Sequence, residues 1–207
     1  MAAVASREFI LGGQRSGKSR RGEMLAAAWL AADPAHRALL IATARAGDEE
    51  MRARIARHRA DRAARLPALA SVEVPVALPE AIRDASAPGT LVVVDCLTLW
   101  LTNLRMPVGG VADGAGADVL SAGRVGSGDF DGLDDDAPAA RLVEAIGAAP
   151  GPLVLIGNEI GLGVIPLGGA TRAFVDALGR LNQQVAMACE RVTLMVAGLP
   201  ICVKGAA

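Results

Sequence analysis

Short apolar runs alternate along the chain with longer stretches whose apolar positions recur every three or four residues, the signature of strands and helices taking turns. Runs beginning at Glu8 (EFILGG), Ala38 (ALLIATA), Ser71 (SVEVPV), Leu91 (LVVVDC), Leu153 (LVLIGNE) and Arg191 (RVTLMVAG) predict strands. Most are unbroken Val, Ile and Leu without polar alternation, so they belong to a mainly parallel sheet covered by helices on both faces. A last run, PICVK, follows Gly198-Leu199-Pro200 too closely for a helical crossover and predicts an antiparallel edge strand. Helices are expected from about Gly17 to Ala32, and after Gly47, where Asp48, Glu49 and Glu50 suit the positive end of the helix dipole. A third begins near Ala170, and its stripe of Phe174, Leu178, Leu181, Val185 and Ala188 reads as core packing.

Residues 107–138 break the pattern: they are rich in Gly, Ala and Asp, close on Asp134-Asp135-Asp136, and have no period. Such a stretch predicts a solvated, mobile insert rather than an acidic metal loop. The remainder reads as one domain over residues 1–207, without internal repeats.

Charge narrows the partners. Lys and Arg total 21 against 22 Asp and Glu, only 2% of residues are aromatic, and Tyr is absent. A nearly neutral chain with few stacking rings is a poor candidate for holding nucleic acid. Cys96, Cys189 and Cys202 are odd in number and sit in apolar runs, so they read as buried thiols in a reducing compartment. Neither C-x-x-C nor H-x-x-x-H spacing occurs, which argues against zinc. No apolar run reaches the ~18 residues of a membrane span, and MAAVASREF lacks the features of a secretion signal; a cytoplasmic location is expected.

Candidate chemistry starts at Gly12-Gly13-Gln14-Arg15-Ser16-Gly17-Lys18-Ser19, which fits G-x-x-x-x-G-K-[ST] between an expected strand and an expected helix. In such a loop the glycines turn backbone N–H groups toward phosphate oxygens, backed by the helix N-terminus. Lys18 is expected on the β- and γ-phosphates and Ser19 on Mg²⁺. The fold class is therefore α/β, a P-loop NTPase-type (RecA-like) sheet. Asp95 closes the apolar strand Leu91–Asp95, the position of a carboxylate that holds Mg²⁺ directly or through water, although such an Asp can also cap the next helix.

Within Glu50–Arg62, spacings of four put Arg54, His58 and Arg62 on one helix face. Guanidinium forks clamp phosphate oxygens, and an imidazole with an ordinary pKa of about 6.5 can attack phosphorus. A solvated Arg-rich face with an incidental His has the same spacing. His36, in the Pro-Ala-His-Arg turn, reads as a surface residue.

ILGGQRSGKS, the IATA strand, DEEMRARIARHR, VVVDCLTLWLTNL, GNEIGLGVIP, RLNQQVA and GLPICVK occur in that order across nearly the whole chain. With them the sequence resembles the bifunctional adenosylcobinamide kinase/adenosylcobinamide-phosphate guanylyltransferases of cobalamin biosynthesis. The resemblance implies two reactions. ATP or GTP phosphorylates adenosylcobinamide; His58 then takes GMP from GTP and passes it to the corrinoid phosphate, giving adenosylcobinamide-GDP. It further implies nucleotide contacts at Gly12–Ser19, at Thr43, Ala44 and Arg45, at Arg59, Ala60, Asp61 and Arg62, and at Glu73 and Asp95. Mg²⁺ on Ser19 and Asp95, and a homo-oligomer (a trimer), also follow from the resemblance. Two rival readings are a P-loop kinase with no covalent intermediate and a member retaining one activity. A regulatory switch lacks support, since no N-K-x-D occurs and Asp95 does not itself open a D-x-x-G.

Overall fold

Helices cover both faces of the central strands, so alternate residues of each strand enter two different cores. Phe9, Val92, Val94, Leu153 and Leu155 point into one, and Ile10, Leu91, Val93, Val154 and Ile156 into the other. The computed structural model describes residues 5–45, 49–105 and 137–205, without the side chains of 50, 51, 54 and 58. Its sheet contains β1 (Arg7–Gly12), β2 (Arg37–Ala42), β3 (Leu69–Glu73), β4 (Thr90–Asp95), β5 (Leu153–Ile156), β6 (Arg191–Val196) and β7 (Leu199–Lys204). The strand order is β3-β2-β4-β5-β1-β6-β7. All neighbours are parallel except β6 and β7, which pair antiparallel as the short turn at Ala197–Gly198 requires.

The helices are α1 (Lys18–Ala32), α2 (Glu49–Arg65), α3 (Leu78–Ala85), α4 (Leu97–Arg105), α5 (Ala137–Ala148) and α6 (Gly169–Ala188). The larger core joins α3, α5 and α6 to one sheet face through Ile82, Ile146 and Leu181, with Trp100 of α4 fully enclosed. Leu178, Leu181 and Val185 of the expected α6 stripe are buried there, and Phe174 and Ala188 pack at its margin. Ala26 of α1 is buried on the opposite face, with Leu25, Trp29 and Leu30 packed beside it.

Several expectations shift. Three helices carried no separate signal: α4 continues the apolar run of β4, α3 is short, and α5 opens on Ala137 and Pro138 at the tail of the irregular stretch. Proline at the second position of a helix loses no hydrogen bond. The rest of the expected insert over 107–138, with Asp134-Asp135-Asp136, lies outside the described residues. β3 starts two residues earlier than expected and stops before Val74-Pro75, where the ring nitrogen cannot donate to a ladder. β5 ends at Ile156, so Gly157-Asn158-Glu159 leaves the sheet as loop. Cys96 and Cys189 are buried as expected, but Cys202 is exposed. It lies on β7, an edge strand whose six residues are all exposed. His36 is half-buried; its ring stacks on Trp29 at 3.7 Å and its Nδ1 lies 2.8 Å from the Trp29 carbonyl.

Candidate functional site

The loop between β1 and α1 is shaped by backbone crowding. Gly12 has φ +154°, and a Cβ there would meet the Met195 carbonyl and Ser16 Oγ at 2.6 Å. Gly17, at φ +100°, caps α1 without any side-chain acceptor, so the first N–H groups of the helix face outward toward a ligand. The loop is pinned by Ser16 N–H donating to Gly13 O (3.3 Å) and Gly198 N–H donating to Ser16 O (3.1 Å). Lys18 is 8% exposed and donates to Gly13 O at 2.6 Å, folded back into the cradle. Burial pushes its ammonium below the usual pKa, with Cys96 and Asp95 pulling the other way. A triphosphate would supply the negative charge this buried cation lacks.

These groups open on a cavity of about 830 Å³, the size of a nucleotide site. Gln14 to Ser19 form its floor, Asp95 closes β4 on one side, and Ile55, Arg57, Arg59 and Arg62 come from α2. Six basic side chains (Arg15, Lys18, Arg20, Arg57, Arg59, Arg62) line it against two acidic ones, Glu73 and Asp95. In a nearly neutral chain, this local excess of positive charge concentrates a polyanion.

α2 is too polar to be held by packing alone, and ion pairs orient it. Glu23 of α1, 9% exposed, accepts two 2.9 Å bonds from Arg65 and lies 3.8 Å from Arg62. Arg59 pairs with Glu73 at 2.7 Å across the cavity rim. His58 lies in α2 by its backbone, about one turn from Ile55 and from Arg62; its side chain is outside the described residues.

Of the other expected contacts, Ala44 lines the cavity, whereas Arg45, Ala60 and Asp61 are exposed and off its described lining. Thr43 is fully buried and its hydroxyl is committed: it donates to Cys96 O at 2.7 Å and accepts from Cys96 N–H at 2.9 Å. It therefore braces the end of β4 from behind. Cys96 itself reaches the cavity, but burial pushes its thiol up to about 11, so it stays protonated at neutral pH.

Sequence reasoning assigned no site role to Asn158 and Ile160, which also line the cavity. Their signal was positional: β5 lies beside β1, and loops leaving the carboxyl ends of neighbouring parallel strands share one side of the sheet. Asn158 is fixed by its N–H to Thr98 Oγ1 (2.8 Å) and by Asn182 Nδ2 on its carbonyl (3.1 Å).

Ser19 and Asp95 line this cavity with oxygen atoms that suit a divalent cation, while Glu73 is paired with Arg59; no cluster of three or more His, Cys, Asp or Glu occurs among the described residues. That sparse set fits Mg²⁺, which takes its remaining ligands from phosphates and water.

Residues 8–203 match the family described as cobinamide kinase/cobinamide phosphate guanyltransferase. The chain is 44% identical to the bifunctional adenosylcobalamin biosynthesis protein CobP of Pseudomonas aeruginosa, across 96% of this chain and 98% of that protein. It is 33% identical to the bifunctional adenosylcobalamin biosynthesis proteins CobU of Salmonella typhimurium and Escherichia coli, in each case across 95% of this chain and 98% of the relative. Among solved structures, the flagellar accessory protein FlaH of Methanocaldococcus jannaschii superposes with a TM-score of 0.48 at 10% identity, covering 99% of this chain and 80% of FlaH. Among the described residues, no helix is long and apolar enough to cross a membrane. With the family match spanning almost every described element and the phosphate loop, Asp95 and the basic helix meeting at one cavity, the chain belongs to the cobinamide kinase/cobinamide phosphate guanyltransferase family.

Proposed function

We propose that this protein phosphorylates adenosylcobinamide with ATP or GTP and then transfers GMP from GTP to the product through a guanylylated His58. The observation that carries this reading is the cavity in which the phosphate loop meets Arg57, Arg59 and Arg62 of α2, the helix whose backbone carries position 58. In the first reaction the loop N–H groups and Lys18 hold the β- and γ-phosphates. The acceptor hydroxyl forms a bond to γ-phosphorus while the bridging bond to the β-phosphate breaks. In the second, a neutral His58 nitrogen bonds to the α-phosphorus of GTP and pyrophosphate leaves. A phosphate oxygen of the acceptor then displaces the imidazole, so the P–N bond breaks as the new phosphoanhydride forms. Arg59 and Arg62 neutralise the charge that builds on the transferred phosphate. Bound Mg²⁺, held by Ser19 and Asp95, would supply charge neutralisation on the triphosphate.

The test is incubation with GTP labelled at the α-phosphate and, separately, at the γ-phosphate, for wild type and His58→Ala. Acid-labile, alkali-stable label from the α position, lost in the variant, is expected. Protein that transfers γ-phosphate but never takes α label would leave a kinase without a covalent intermediate.

A further inference from the structure

The loop following β5, residues 157–168, holds apolar side chains away from any core: Leu162, Val164, Ile165 and Leu167 are 82, 96, 76 and 98% exposed. Single exposed apolar residues are ordinary; four within six positions make a patch with a purpose. The loop is nonetheless tied down at both ends. At its base, Gly157 N–H donates to Ile10 O (3.0 Å) and Glu159 N–H to Gly12 O (3.2 Å), which fastens it to the phosphate-loop strand. At its far end the Arg172 guanidinium donates to the Pro166 and Leu167 carbonyls at 2.9 and 2.5 Å. Between this loop and α6 runs a groove of about 610 Å³ with an apolar lip (Val164, Ile165) and a polar wall (Asp176, Arg180, Gln183). Ile160 lines both this groove and the nucleotide cavity, so the two adjoin.

We propose that this groove holds the cobinamide body of the acceptor and presents its reactive oxygen to the phosphates over the P-loop. The inference rests on the function proposed above and names where its second substrate binds. A corrin macrocycle cannot share the cradle with a triphosphate, yet its side-chain oxygen must reach it, so its body needs an adjoining space. The periphery of the ring carries methyl groups and carboxamides. Methyls suit the Val164 and Ile165 lip; carboxamides can accept from Arg180, exchange hydrogen bonds with Gln183 and donate to Asp176.

The test uses dicyanocobinamide, whose colour reports binding in equilibrium dialysis, with Val164→Asp, Val164→Leu and Arg180→Ala in the full chain. The altered side chains are exposed, so melting temperatures should match wild type. Val164→Asp should raise the Kd for dicyanocobinamide at least about tenfold, as expected for loss of one packed apolar contact, while Val164→Leu stays within about twofold. Arg180→Ala should weaken binding too. Incorporation of α label from GTP without acceptor should be unchanged in all three. An unchanged Kd in Val164→Asp and Arg180→Ala overturns the proposal. So does a change of oligomeric mass with unaltered Kd, which would make the groove a contact between copies. Failure of wild type to take α label counts against the guanylylated histidine and leaves the dialysis result standing as the test of the groove.

Discussion

Glu23 sets where α2 stands, so its removal should separate the two chemistries. The carboxylate is nearly enclosed and joins α1, which follows the phosphate loop, to Arg62 and Arg65 of α2. Two charge-assisted bonds from Arg65 would contribute about 1.5–3 kcal/mol each if buried. The Arg65 side chain is 44% exposed, and solvent reduces that pair to about 1 kcal/mol. Arg62, 12% exposed and 3.8 Å away, adds a little under 1 kcal/mol in its more sheltered position. Glu23→Ala should therefore weaken the anchoring of α2 by about 1.5–2 kcal/mol, which is roughly a 10- to 30-fold loss in the population that aligns position 58 with the cavity. Single-turnover labelling with α-labelled GTP should slow by that factor. The kinase reaction, which depends on the loop and Lys18, should change less than about threefold. Glu23→Gln, which keeps an acceptor without the charge, should fall between. A double-mutant cycle with Arg65→Ala should return a coupling of about 1 kcal/mol. Labelling at the wild-type rate in Glu23→Ala, or an equal loss of both activities, would refute the reasoning.

Two further predictions concern the end of β4. Thr43→Val leaves the buried Cys96 N–H without its acceptor, while the Cys96 carbonyl keeps the Trp100 N–H at 3.1 Å. The cost should be about 1–3 kcal/mol, a fall in melting temperature of roughly 5 °C, with weaker nucleotide binding as Asp95 loosens; calorimetry and GTP titration check both. Thiol titration at pH 8 should find one fast cysteine, the exposed Cys202. Burial raises Cys96 to about 11 and Cys189 to about 12, so each holds a very small thiolate fraction that grows only as pH climbs toward those values. GTP should slow Cys96 further because that residue lines the nucleotide cavity; three fast thiols would contradict the burial.

By itself, the sequence determined the class of fold and the heart of the chemistry. Short unbroken apolar runs between turn signals read as strands covered on both faces, and G-x-x-x-x-G-K-S between a strand and a helix encodes its own backbone geometry. The antiparallel return of β7 followed from the shortness of the turn before it. Tertiary structure decided what depends on distant partners. Glu23 reads in sequence as one more acid on a helix, and only the approach of α2 makes it an anchor for Arg62 and Arg65. Thr43 carried a nucleotide role by resemblance, yet its hydroxyl serves a residue 53 positions away. Asn158 and Ile160 reach the cavity because β5 happens to lie against β1, a neighbour relation set by sheet order. Local periodicity records which face of an element is apolar; it holds no information about which other element will meet that face.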